Sequence, residues 1–331
     1  MTHVQANLLE YLRSKTQVDL DTFDITALGK FGQCVDCTSN QYEYYTELAK
    51  PTRQDILQKT IQTTEKLHGD FPETTFEELA VEVAAVLLGI EMLPAFTGNL
   101  HLMSNPKYAY SKQKVVETGK RYHKLFNLLH PSFPTSRLVM KIPATWEALQ
   151  AGRELRASNI KTLGTTLFTM EQAVLAGEVG CVSISPFVHE LKRMFEPGHQ
   201  DEDLLGLCLH AQQWYEQKNL RTKVKACATV GVEELLQLAG VDALTIVPDD
   251  LSTLQSTQRD SDELTKISMF KALNATNEEK VYGPYVDDEA KYRLDFAHAD
   301  GGQAQFKLAQ AIIIFSDFQA KAEAVIRDAR A

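Results

Sequence analysis

Short runs rich in β-branched and apolar residues recur along the chain, each followed by a stretch of about 10 to 20 residues with helical period. The runs fall at residues 17–22, 33–37, 138–142, 160–163, 181–185, 223–228 and 243–247. Turn residues bound them, and they lack the polar–apolar alternation of a half-solvated strand. They therefore predict parallel strands buried on both faces. A weaker run at 95–102 predicts an eighth strand. Helical period marks 76–90, 145–157, 170–176 and 232–239, with Gly177 and Gly240 as the expected stops. Alternation on this scale predicts a closed barrel or an open doubly wound sheet. The first strand leads into no glycine-rich phosphate loop, which counts against a dinucleotide fold. The pattern thus predicts one α/β domain, a single (β/α)8 TIM barrel over about residues 16–250 with a helical extension over 251–331. In that extension 251–290 is polar and 303–329 predicts a long helix with an apolar run at 311–315. The first 15 residues read as an amphipathic helix with Leu8, Leu9 and Leu12 on one face.

Composition narrows the classes of partner. The 331 residues carry 34 basic and 44 acidic side chains, a net charge of −10, which argues against nucleic acid or an anionic membrane as partner. With 44% hydrophobic and 24% charged residues, the chain has enough apolar material for a large core under a solvated surface. No apolar run of about 18 residues predicts a membrane span, and the first residues do not resemble a secretory leader. Five cysteines, Cys34, Cys37, Cys181, Cys208 and Cys227, suit reduced thiols in a cytoplasmic protein. The C-x-x-C spacing of Cys34 and Cys37 lacks a matching second pair of metal ligands, so both read as ordinary strand-end residues.

In a barrel of this kind, chemistry gathers at the C-terminal ends of the strands. Asp19, Asp21, the segment 36–40, Lys141, Thr165 and Ser185 are the polar residues there. Lys141 closes the apolar run Leu138-Val139-Met140. An apolar wall disfavours an ammonium and supplies the neutral amine that attacks a carbonyl. Taken by itself, a strand-end lysine can equally well reach out to solvent along its apolar stem.

The segment Arg137-Leu-Val-Met-Lys141-Ile-Pro-Ala-Thr145-Trp146 resembles the Schiff-base signature of the transaldolases. Four further segments match that family in order: Asp21-Thr-Phe-Asp24, Asp36-Cys-Thr-Ser-Asn40, Ile184-Ser185-Pro186-Phe187-Val188, and Asp242-Ala-Leu-Thr-Ile246-Val-Pro248. The resemblance implies a class I aldol mechanism on a carbonyl substrate. Lys141 is the implied nucleophile and Asp21 the implied general acid/base. Asn40 and Ser185 match residues that hold substrate hydroxyls, Thr165 matches a threonine that holds a water, and Phe187 matches a pocket wall. No metal or organic cofactor is implied, and a homodimer is.

The departures from that pattern cluster around the pocket. Met103 stands where the family has a proton-shuttling glutamate, and Leu163 where it has an asparagine. Glu190 and Val230 stand where it has two arginines that clamp a sugar phosphate. Lys192, Arg193 and Arg221 are possible sources of displaced positive charge, and Asp19, Asp36, His101 and His189 are possible substitutes for the glutamate. The expectation is a transaldolase-like enzyme making, breaking or transferring across a C–C bond on a substrate other than ordinary sugar phosphates. The alternatives are a genuine pentose-phosphate transaldolase and a non-catalytic barrel used for binding.

Overall fold

The computed structural model describes residues 5–272 and 281–331. Eight parallel strands close a barrel in chain order. They are β1 (Gln17–Asp21), β2 (Cys37–Thr38), β3 (Leu100–Met103), β4 (Leu138–Pro143), β5 (Lys161–Leu167), β6 (Ser183–Pro186), β7 (Lys223–Ala226) and β8 (Ala243–Ile246). The ring closes where β1 pairs with β8, Asp19 beside Thr245. The expected barrel is therefore observed, and closure excludes the open sheet.

Helices wrap the outside, and local chemistry sets their ends. Thr75 and Glu78 form a reciprocal capping box on Phe76–Glu91, and Thr145 and Thr169 cap Trp146–Ala157 and Met170–Val179. The last of these stops at Gly180, whose φ of 84° only glycine adopts at little cost. Gly177, the expected stop, lies inside the helix instead. A Cβ there would come within 2.7 Å of the Tyr215 ring, so this glycine serves close packing. Leu8, Leu9 and Leu12 are buried in a helix Leu8–Arg13, preceded by a short strand Gln5–Asn7 that pairs with Gln258–Asp260. The polar stretch after β8 holds helices Pro248–Ser256 and Ser261–Ile267, while residues 273–280 of it lie outside the described residues. The final helix, Ala304–Arg330, packs against helices Gln41–Ala49 and Phe76–Glu91 and against β5.

Three strands are displaced from their expected positions. The run at 33–37 yields only Cys37–Thr38, because Cys34 makes an isolated bridge to Phe96 and the Asp36 carboxylate draws in the Asn99 N–H at 2.6 Å. The third strand starts at Leu100, since Pro94 sets a 3-10 turn at Leu93–Ala95. β5 continues to Leu167 through a bulge, where Thr166 has a φ of 53°. That is a strained conformation for a β-branched residue, and it lies at the end of a strand where chemistry is expected.

Side chains facing the lumen can be identified directly. Lys225 of β7 bonds Asp19 of β1 at 2.6 Å, past the intervening β8, and only the interior allows this. Alternation along the strands then puts Asp21 on the same face as Asp19. Register partners in a parallel ladder share a face, so Met103 and Leu163, the partners of Lys141, lie beside it.

Candidate active site

The lumen is built in two layers. The lower layer is a closed set of charges. Lys225 Nζ donates to Asp19 Oδ2 and, at 2.8 Å, to Asp36 Oδ2, and His101 Nε2 meets the same Asp36 oxygen at 2.9 Å. Gln17 Nε2 and the Asp36 N–H both donate to Asp19 Oδ1. All four ionisable groups are buried. Burial alone would raise the Asp36 carboxyl, but the His101 hydrogen bond and the Lys225 charge hold it well below the usual carboxylate range. Burial lowers the His101 imidazole.

The upper layer opens into a cavity of about 1070 Å³. Lys141 lines it, is only 7% exposed, and has no hydrogen-bond or ion-pair partner among the described residues. Its register partners Met103 and Leu163 are fully buried and apolar. Asp21 lines the same cavity, and one of its carboxylate oxygens accepts from the Thr38 hydroxyl. Asn40 caps helix Gln41–Ala49 by accepting from the Tyr42 N–H at 2.9 Å, which fixes the side chain while it lines the cavity. Phe187 stacks edge-on with Phe168 and with Phe315 of the final helix, and these rings form the apolar side of the mouth with Met103, Leu191 and Cys227. Burial pushes the Cys227 thiol up to about 12, against the opposing charge of Lys141, so this cysteine remains a thiol.

Of the expected site residues, the cavity thus gathers Lys141, Asp21, Asn40 and Phe187. Thr165 is buried among the last three residues of β5, and its hydroxyl has no hydrogen-bond partner among the described residues. Ser185 donates to the Lys225 carbonyl at 3.0 Å. Gln172 fixes the ends of β4 and β5 by donating to the carbonyls of Ala144 and Thr166. Glu190 and Val230 do not line the cavity. Glu190 accepts from Gln310 of the final helix at 2.8 Å and contacts His199 at 3.1 Å, while Val230 is exposed. Arg193 and Lys192 pair with Asp201 and Glu196, and Arg221 is exposed. His189 bridges Asp201 and Glu234.

Phe315, Cys227 and Glu43 are among the lining residues that sequence reasoning did not assign to the site. Glu43 sits in the first turn of helix Gln41–Ala49, half-buried, with Oε2 accepting from the Phe23 N–H and the Thr22 hydroxyl at 3.2 Å each. Burial, reinforced by the charge of Asp21, pushes its carboxyl up to about 7. Its position three residues beyond the Asn40 cap was the available signal, but there it reads as an ordinary first-turn acid.

Comparison with known proteins agrees with the barrel fold. The profile of the family described as Transaldolase/Fructose-6-phosphate aldolase matches residues 18–298. Transaldolase B of Pasteurella multocida is 28% identical over 326 residues, covering 96% of this chain and 98% of its own. The transaldolase of Bos taurus is 28% identical over 332 residues, covering 97% and 94%. That of Methylococcus capsulatus is 28% identical over 334 residues, covering 97% of each.

Proposed function

The chain belongs to the transaldolase/fructose-6-phosphate aldolase family, and on that premise we propose that Lys141 is its Schiff-base nucleophile and that its substrate is not an ordinary sugar phosphate. The enzyme is of the aldolase or transaldolase type. The observation that carries the proposal is the amine of Lys141, buried at the cavity and unpartnered among the described residues. A lysine that only supported the fold would be paired, as Lys225 is.

The amine attacks a ketose carbonyl to give a carbinolamine and then an iminium. The iminium draws electrons from the neighbouring C–C bond, which breaks to leave an enamine. Asp21 takes the proton of the substrate hydroxyl as that bond breaks. Its hydrogen bond from Thr38 orients the carboxylate for this. Asn40, which lines the cavity, holds a substrate hydroxyl, and the unpartnered Thr165 hydroxyl is suited to hold a water.

Charge in the cavity supports the reading of the substrate. Its lining includes Asp21, Asp24, Glu43, Glu47, Asp249 and Asp250 against Lys30, Lys50 and Lys141, with no arginine. Lys50 is already paired with Asp24 and Glu47. A phosphate would meet net repulsion there, while Phe187, Phe195 and Phe315 offer an apolar wall. Neutral polyols and bulkier carbonyl compounds fit this lining better. The test is borohydride trapping with a panel of ketoses and aldehydes, read by intact mass, with Lys141→Ala as the control. A reducible adduct at full stoichiometry in that variant would assign the nucleophile elsewhere.

A plain pentose-phosphate transaldolase is favoured by the near full-length match to proteins named transaldolase and by Lys30 in the cavity lining. Turnover of fructose 6-phosphate at kcat/KM of about 10⁴ M⁻¹s⁻¹ or more would put that reading first. Five buried, unbridged cysteines support a reducing, cytoplasmic setting, and the family resemblance supports a homodimer.

A further inference from the structure

We propose that Glu43 is the proton donor for imine formation, a separate group from the Asp21 that serves C–C cleavage; this rests on the Schiff-base reading of Lys141. The proposal starts from a deficit. Met103, register partner of Lys141, cannot carry a proton, and Leu163 on the other side cannot either. The four acids and imidazoles nearest in sequence are committed elsewhere. Asp19, Asp36 and His101 are tied to Lys225 or to one another beneath the site, and His189 bridges two carboxylates away from the cavity lining.

Glu43 has the required placement. It lines the same cavity as Lys141 and Asp21. Two donors from the loop that follows Asp21, the Thr22 hydroxyl and the Phe23 N–H, hold its Oε2. Both of its hydrogen bonds among the described residues fall on Oε2 and none on Oε1, while the residue lines the cavity. The carboxyl is thus anchored at one oxygen by the two residues that directly follow Asp21.

Its charge environment suits a donor. The charges that act on it are Asp21 at the end of β1 and Glu47 on its own helix, with the Cys37 thiol nearby, and Asp24, Lys50 and Lys141 line the same cavity. Lys50 is neutralised by Asp24 and Glu47. With burial, these negative neighbours keep Glu43 protonated up to about pH 7, where an acid is most useful at neutral pH. In the step itself, Lys141 has already added to the carbonyl, forming the C–N bond of the carbinolamine. Glu43 gives its proton to the carbinolamine oxygen, the C–O bond breaks, and water leaves. The nitrogen lone pair completes the iminium, and Glu43 is left as carboxylate. Hydrolysis returns the proton by the reverse path.

The test is time-resolved borohydride trapping of dihydroxyacetone on the full chain from about pH 5 to about pH 9, with adduct read by mass. Glu43→Gln keeps an oxygen for Thr22 and Phe23 but cannot donate a proton. It should slow adduct formation about 10²-fold at pH 6 and abolish the loss of rate that the wild type shows above about pH 7, while the final adduct yield is retained. Glu43→Ala should regain rate on addition of acetate. Asp21→Asn should still form adduct, with the fall in rate moved to lower pH by the lost charge, yet fail to cleave a C–C bond. A Glu43→Gln variant with the wild-type rate and pH profile overturns the role of Glu43 alone. A wild-type chain that gives no adduct at Lys141 overturns the Schiff-base reading, and this proposal with it.

Discussion

The barrel holds two buried lysines in one lumen, and their surroundings are opposite. Lys225 sits between Asp19 and Asp36 with both carboxylates inside hydrogen-bonding distance. Lys141 sits between Met103 and Leu163 with no partner among the described residues. Both are equally buried, at 5% and 7% exposure, so depth does not separate them. What separates them is whether the surroundings complete the ammonium. Opposing carboxylates fix Lys225 in its charged form, and burial is outweighed. A buried amine next to apolar side chains keeps its chemistry for a ligand. A lysine in a barrel therefore has to be judged by what closes around it.

The sharpest way to break the contrast is to remove each amine in turn. Lys141→Met should eliminate the reducible adduct completely and leave the thermal unfolding midpoint at or above that of the wild type. Mass after borohydride treatment and a melting curve check both halves. A variant that unfolds would make Lys141 a structural residue like Lys225.

Lys225→Met should do the reverse. It strands Asp19 and Asp36 facing each other in the lumen, which costs about 3–5 kcal/mol. Denaturant unfolding at pH 7 measures this, and adding Asp19→Leu should recover part of the loss. The same network gives the pH dependence a sign. The Asp36 carboxyl lies lower in the folded chain than its usual value of about 3.9. Its contribution is therefore present above about pH 4 and is lost as the pH falls below that. Lys225→Met should flatten this acid limb.

Glu43 should act in the opposite sense, and more weakly. Its carboxyl is raised in the folded chain to about 7, so stability falls as pH rises from the ordinary value of about 4.3 through 7. Glu43→Gln, neutral throughout, should be more stable than the wild type at pH 8 by about 1–3 kcal/mol, with little difference at pH 5. Equal stability at both values would remove the raised carboxyl. The smallest effect is expected at Ser185, whose hydroxyl joins the layers by bonding the Lys225 carbonyl. Ser185→Ala should cost about 1 kcal/mol in denaturant unfolding.

The apolar runs made most of the barrel legible in the sequence, because strands buried on both faces leave a continuous signature. β2 was displaced because Asp36 diverts the backbone around it, and a side chain's choice of partner has no period. The lower layer was legible only in fragments. Asp19, Asp36 and His101 each read as a lone candidate acid or base, while Lys225, which unites them, lies 206 residues from Asp19 and meets it only once the ring has closed. Lys141, Asp21, Asn40 and Phe187 were recoverable because each sits at or just beyond a strand end within a recognisable motif. Glu43 and Phe315 sit on helices that look ordinary until they are placed beside the cavity.

The final helix adds a matter of timing. Phe315, part of the cavity wall, lies 69 residues beyond the last barrel strand, counting Val247 to Phe315. At synthesis rates of about 5–20 residues per second, those residues take about 3–14 s to emerge. Throughout that interval a nascent chain can hold a complete ring of strands in which Lys141 lacks the Phe315 side of its cavity. Small carbonyl compounds in the surrounding fluid can reach it without the selection that the finished wall imposes.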